Sequence, residues 1–257
     1  MANEIHPTAI IDPGAELGDG IVIGPYCLIG AGVKLGDGCR LHNHVTLAGP
    51  SEFGPNNEFF PYVSIGQRSQ DLKYAAEPTY LKVGEGNVFR EFCTVNRGTA
   101  PEAYTIVGSH GNFLAYSHIA HDCIVGDHVI FSNNGTLAGH VTVGDHAIMG
   151  GLTAVHQFCR IGAHAITGGC SKIVQDVPPF MIADGNPGKV RAVNTVGLGR
   201  RGFSEETVAR IKKAHRVLYR EQRNYRESLE ILRAWPDRCP EIDLLIDFVA
   251  ASERGIS

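Results

Sequence analysis

Between residues 118 and 157 the chain gathers the side-chain types of proton-transfer chemistry. His118, His121 and Asp122 stand in HIAHDC, His140 follows Gly139 in AGH, and His156 precedes Gln157 in VHQ. A histidine beside a carboxylate can act as a general base near neutral pH. A glycine lets its backbone N–H come close to a developing oxyanion. No G-x-S-x-G elbow is present, and most of the thiols are predicted to point inward. The chemistry these residues predict is direct attack by an acceptor with base assistance and no covalent enzyme intermediate.

What must position them is a repeat of six. Stepping by six from Ile5 meets Ile11, Leu17, Ile23, Ile29, Leu35, Leu41, Leu47, Phe53, Phe59 and Ile65. The phase resumes at Val83, Phe89 and Val95, and again from Val107 to Ile173, with Thr167 the one polar residue in the series. Glycine often follows, and the fifth position is small or β-branched, as at Ala9, Val45 and Val141. An α-helix cannot return to one face every six residues. Short strands joined by tight turns can, with three strands closing a triangular coil of 18 residues. One coil then separates Ile119, Leu137 and Val155. His121 stacks next to Gly139 and Gly139 next to Gln157, Asp122 lies beside His140, and Ala120 and Ala138 underlie His156. His118 precedes the turn.

Cys27, Cys39, Cys93, Cys123 and Cys159 fall on the fifth position and are expected as small core residues. Residues 71–82 and 101–106 interrupt the repeat without changing its phase and are predicted loops. The first is expected to carry binding residues, the second to be a plain surface insertion. His128, His146 and His164 lie 18 apart and predict a second ladder, of stacked turn residues or subunit packing. After Ile173 an extended exit segment is expected. Helices follow, one from an N-cap at Ser204 with Glu205 and Glu206 in its first turn, a second ending near Pro236 and a third after Pro240. The domains expected are a β-helix over 1–190 and a helical unit over 191–257.

The N-terminus has no basic stretch followed by an apolar one, and no apolar run reaches the roughly 20 residues of a membrane span. A cytoplasmic protein without stable membrane insertion is expected. The net charge of −4 argues against nucleic acid as partner. Between Lys172 and Arg226, however, twelve Lys or Arg meet five Asp or Glu, a local excess of +7. That fits docking of an acidic or phosphate-bearing partner, or a solvated helix with scattered charge.

The segments HIAHDCIVG, LAGHVTVGD, GGLTAVHQFCRIGAH and NTVGLGRRGF resemble the UDP-N-acetylglucosamine 3-O-acyltransferases over nearly the whole chain, within the wider hexapeptide transferases. The resemblance implies a left-handed parallel β-helix and a homotrimer with sites between subunits. The implied reaction transfers an acyl group, 3-hydroxylated in the expected case, from acyl carrier protein to UDP-N-acetylglucosamine, in lipid A synthesis, without cofactor or metal. It implies His121 as general base, oriented by Asp122, with the Gly139 amide as oxyanion hole. By the same resemblance His140, His156 and Gln157 line the acceptor and acyl pocket, with His118 beside them. Asp71 and Lys73 hold the sugar nucleotide, and Asp71 serves a neighbouring subunit's base. Asn194, Arg200 and Arg201 meet the uridine-phosphate end, and Gly169 sets acyl length. The coils begin at Ile5, which leaves no place for the N-terminal domain of the related N-acyltransferase. Two positions depart from the family pattern. Asn96, in VNRGT, stands where His is expected beside the sugar, and Val196 where Glu is expected near the nucleotide. A 3-amino sugar is the alternative acceptor. More distant alternatives are a non-catalytic scaffold and a zinc hydratase of the γ type, whose histidine pair five residues apart is absent.

Overall fold

The hexads form two-residue to four-residue strands that pair in parallel with the strand one coil away, building three flat walls. The computed structural model describes residues 2–221 and 223–257. The walls start at Glu4–Ile5, Ile10–Ile11 and Glu16–Leu17 and comprise 11, 9 and 8 strands. Ile119 pairs with Leu137 and Leu137 with Val155, all on the second wall. The first and fifth positions point inward, so that Phe59, Phe89 and Phe113 stack down the axis at centroid spacings of 5.4 and 4.8 Å. Thr167 keeps its core position because its hydroxyl accepts the Gly150 N–H at 3.0 Å.

The five cysteines of the repeat are buried, as expected. Burial pushes the Cys39 and Cys93 thiols up to about 11 and the Cys123 thiol up to about 12, so they stay protonated and unreactive. The fourth position of most hexads turns the corner with positive φ, near 60° at Asp122, His140 and His146. A side chain there points out along a prism edge, and edge residues one coil apart stack.

The interruptions lie three to four residues earlier than expected. Strands Tyr80–Val83 and Tyr104–Val107 begin inside them, leaving 68–79 and 97–103 irregular. Each lengthens one coil, so Phe59 pairs with Phe89 and Phe89 with Phe113, offsets of 30 and 24 residues where 18 is the rule. Both loops join the second wall to the third. They therefore sit on the same prism edge as the 120–123 turn that carries His121.

The exit segment differs from expectation. Met181–Gly185 adds a further parallel strand to the first wall, pairing Ile182 with Ile166, and Gly188–Val193 returns antiparallel to it across residue 190. Buried Met181, Ala183 and Val193 give this hairpin its apolar face. Among the described residues four helices follow: α1 (Thr195–Arg200), α2 (Glu205–Tyr219), α3 (Tyr225–Arg233) and α4 (Pro240–Ala250). Ser204 caps α2 by accepting the Thr207 N–H, and Pro240 opens α4. Ile211, Ala214 and Leu218 of α2 pack with Leu232 of α3 and Leu245 of α4. Asp176 ties the end of the chain to the prism, accepting the Arg160 N–H, the Ser252 hydroxyl and, through its carbonyl, the Ser257 N–H. No helix among the described residues is long and apolar enough to cross a membrane.

Candidate active site

His121 sits at the corner between the second and third walls and is 7% exposed. Its Nδ1 lies 2.8 Å from Asp122 Oδ2. A carboxylate only accepts, so in the neutral imidazole Nδ1 carries the proton and Nε2 keeps its lone pair. Asp122 is itself anchored. Its Oδ1 accepts the Thr99 N–H at 3.1 Å, and its own N–H donates to the fully buried Thr105 hydroxyl at 2.8 Å. Loop 97–103 thus contacts Asp122 through Thr99, and the strand that follows it does so through Thr105, so the second interruption is not a plain surface insertion. The free Nε2 faces Asp71 Oδ2 at 3.9 Å within the same chain. The expectation that Asp71 serves a neighbouring subunit is met differently here, because loop 68–79 folds up its own edge.

One coil on, Gly139 stands against the imidazole. A Cβ built there would come 2.5 Å from His121 Nε2, so only glycine leaves room for the ring. Among the described residues the Gly139 N–H has no protein acceptor. This third position lacks one along much of the prism and holds proline at Pro7, Pro25 and Pro61. His140 places Nε2 3.5 Å from Asp122 Oδ2 and its ring across His121 at 5.2 Å. Phe158 stacks on His140 at 4.8 Å. The 18-residue offset marks Phe158 as a neighbour, yet its residue type did not single it out.

His118 lies on the second wall with Nδ1 2.7 Å from Thr94 Oγ1. Burial, then nearby His121, holds its imidazole below the ordinary histidine range. His156 and Gln157 are exposed, and His156 Nδ1 donates to the Gln157 carbonyl at 3.0 Å. A cleft of about 410 Å³ is lined by Gln70, Asp71, His118, His121, Ala138 and Gln157. A second, of about 560 Å³, shares Asp71 and reaches Arg68 and Asn96. Asn96 is 4% exposed, donates Nδ2 to the Arg68 carbonyl at 3.1 Å, and leaves Oδ1 without a donor. Lys73 is exposed, and its N–H donates to Asp71 Oδ1 at 2.8 Å. The larger groove on the third wall, about 680 Å³, runs over the alternating row Glu16, Lys34, Glu52 and Lys82 and holds no such cluster.

The remaining expected residues are elsewhere. Gly169 lies on the first-to-second wall turn, where a Cβ would meet only the Gly151 carbonyl at 3.5 Å. Nothing in the packing demands glycine there. Asn194 is buried, donating to the His164 carbonyl at 2.9 Å and capping α1 through the Gly197 N–H. Arg200 and Arg201 are exposed at the end of α1, and Arg201 Nη1 meets His146 Nδ1 at 2.5 Å. His146 belongs to the expected ladder of His128, His146 and His164, which stack at 4.8 and 4.8 Å on the third-to-first wall edge, and His110 extends it by a further ring at 5.0 Å from His128. The structure therefore does not bring Arg201 to His121 within one chain. It places the two on different prism edges.

His121, Asp122 and His140 hold ligand atoms within 4.8 Å of one another, a spacing a cation could bridge. The Asp122 oxygen such a cation would use already accepts from His121.

The comparisons with known proteins extend over nearly the whole chain. A curated acyl-[acyl-carrier-protein]–UDP-N-acetylglucosamine O-acyltransferase of Akkermansia muciniphila is 55% identical over 256 residues, 98% of both chains. That of Thermodesulfovibrio yellowstonii is 49% identical over 255 residues, 99% of both. This chain belongs to the UDP-N-acetylglucosamine O-acyltransferase family. The family model for its second domain matches residues 176–257, and the bacterial transferase hexapeptide model matches 4–36 and 14–49. The solved UDP-N-acetylglucosamine acyltransferase of Bacteroides fragilis superposes with a TM-score of 0.96 at 36% identity, covering 98% of this chain and 99% of that one. The triangular coil is the left-handed parallel β-helix of this family.

Proposed function

We propose that this acyltransferase of lipid A biosynthesis moves a 3-hydroxyacyl chain from acyl carrier protein to the 3-hydroxyl of UDP-N-acetylglucosamine, with His121 as the base. The observation that carries the reading is the Nδ1-bound imidazole, whose free Nε2 opens on the Asp71 cleft. A substrate hydroxyl in this cleft donates its one proton to the Nε2 lone pair at about 2.8 Å. Nε2 takes the hydroxyl proton as the oxygen attacks the thioester carbonyl. The tetrahedral oxyanion is met by the unbonded Gly139 N–H. Collapse breaks the C–S bond, and the imidazolium returns its proton to the departing thiolate. The Asp122 carboxylate stabilises the transient imidazolium without itself taking the proton. No cofactor enters these steps.

His140, His156 and Gln157 flank the acceptor, with His118 beside the base, and Lys73 stands ready for the nucleotide's phosphates. Asn96 stands at the neighbouring cleft that shares Asp71. Arg200, Arg201 and Asn194 lie on another edge, so they reach this cleft from a neighbouring copy, which favours a homotrimer. Arg201 offers its forked donors to a phosphate in that arrangement. The exposed Lys212, Arg216 and Arg220 of α2 suit an acidic carrier protein. The domain division we favour keeps the hairpin with the prism and assigns α1–α4 to the helical unit. A cytoplasmic setting fits these substrates.

Asn96 favours one second reading, acylation of a 3-amino sugar, because it lines the neighbouring cleft at the position where the family pattern has His. Parallel assays with UDP-N-acetylglucosamine and its 3-amino analogue, read by mass spectrometry, separate the two. The expected product is the 3-O-acyl sugar nucleotide. Transfer only to the amine replaces the acceptor, and wild-type turnover in His121→Ala removes the base.

A further inference from the structure

We infer that the Ser69 and Thr99 hydroxyls form a positioning clamp that sets the Asp71 carboxylate against the base. The inference rests on His121 and Asp71 acting as proposed above. Ser69 belongs to loop 68–79 and Thr99 to loop 97–103, one lengthened coil apart. Their oxygens meet at 2.6 Å, and Ser69 is 6% exposed. Ser69 Oγ also accepts the Asp71 N–H at 3.1 Å. Thr99 in turn donates its own N–H to Asp122 Oδ1 at 3.1 Å.

These contacts close a ring. His121 Nδ1 bonds to Asp122, Asp122 to Thr99, Thr99 to Ser69 and Ser69 to the backbone of Asp71. The Asp71 carboxylate then returns to His121 Nε2 at 3.9 Å. The two carboxylates on either side of the imidazole are thereby spaced by a single hydroxyl pair. Beyond the clamp, loop 68–79 is tied to other elements at its two ends, where the Arg68 carbonyl accepts from Asn96 Nδ2 at 3.1 Å and the Pro78 carbonyl from the Glu102 N–H at 2.9 Å. The Lys73 N–H to Asp71 Oδ1 bond and the Ala75 N–H to Glu77 carboxylate bond are internal to it. Without the clamp the stretch between those ends is free to carry Asp71 away from Nε2, while Asp122 still holds Nδ1. Ser69 and Thr99 are positioning residues, since neither lies against the reacting atoms.

The clamp predicts a division between kinetic constants. Asp71 faces the sugar, so loosening it weakens the sugar nucleotide and spares the acyl donor. Ser69→Ala and Thr99→Val are each expected to raise KM for UDP-N-acetylglucosamine about threefold to tenfold, the range of one hydrogen bond's net worth. KM for acyl carrier protein is expected to stay at the wild-type value. The double variant is expected to be no worse than the poorer single one, because both remove the same contact. Thr99→Ser keeps the hydroxyl and is expected to restore most of the wild-type KM, which also covers the case that Thr99→Val fails to fold. An unchanged KM in Ser69→Ala and Thr99→Val, or effects that multiply in the double variant, overturns the clamp. His121→Ala, measured alongside, tests the base independently. If it stays active the base assignment fails, and if it is inactive while the single variants match wild type the clamp alone fails.

Discussion

Gly139 and His121 share a space that admits one ring and no methyl group between them. A Cβ at 139 would stand 2.5 Å from the imidazole Nε2 and closer still to its Cε1. Gly139→Ala therefore keeps both the imidazole and the backbone N–H but moves the ring. Misplacing a catalytic group by an ångström costs about a hundredfold in rate, and a loss of that order in kcat is expected. Circular dichroism is expected to report an intact β-helix. Wild-type kcat in a folded variant would separate the base from this glycine.

Asp122 fixes the proton on Nδ1, and its other oxygen is held by Thr99. Asp122→Asn tolerates the same positive φ but offers either an N–H or a carbonyl to the ring. The wrong tautomer then becomes accessible, with its proton on Nε2. A fall in kcat of about a hundredfold or more is expected from a base carrying its proton on the wrong nitrogen, with KM for the sugar nucleotide little altered. Steady-state rates over a range of sugar concentrations check it, and a raised KM with wild-type kcat would contradict it.

How much of this was readable depends on where the period of 18 is undisturbed. From Ile119 to Ile173 every coil has its full length, so the adjacency of His121, Gly139 and Gln157 follows from counting. Phe158 was equally countable, but a phenylalanine at a turn draws no notice until its ring is seen on His140. Thr94, Thr99 and Ser69 were hidden for another reason. The insertions stretch their coils to 24 and 30 residues, so pairs such as Thr94 with His118 do not fall at the expected offset. Helix α1 escaped because six residues with Gly197 and Gly199 carry no helical stripe, and its start is set by the Asn194 cap. The hairpin after Ile173 looked extended because its prolines mask the alternation of Met181 and Ala183.

Gly169 offers a test of what its missing side chain is for. A Cβ there meets only the Gly151 carbonyl, at ordinary contact distance. Gly169→Leu is expected to fold, with Tm close to wild type, and to shorten the preferred acyl donor. Competition between carrier proteins loaded with long and short chains checks this. An unchanged chain preference in the folded variant would place the end of the acyl chain elsewhere.

The ladder on the opposite edge gives a pH prediction. Burial, with His146 and Arg201 nearby, lowers the His164 imidazole from 6.5 to about 4. Its Nδ1 is buried without a partner, and its ring stacks on His146 and Phe180. Between those two values the unfolded chain binds a proton at this residue that the folded chain does not. Stability from this site is therefore complete above about pH 6.5 and declines as pH falls toward 4. His164→Phe keeps an aromatic ring in the stack and removes the titrating nitrogen. Phenylalanine already holds this turn position at Phe92 and Phe158, with positive φ. The expected result is a smaller difference in Tm between pH 7.5 and pH 5 than in the wild type. Scanning calorimetry at the two pH values decides it, and an equal or larger difference would mean that His164 is charged in the folded protein.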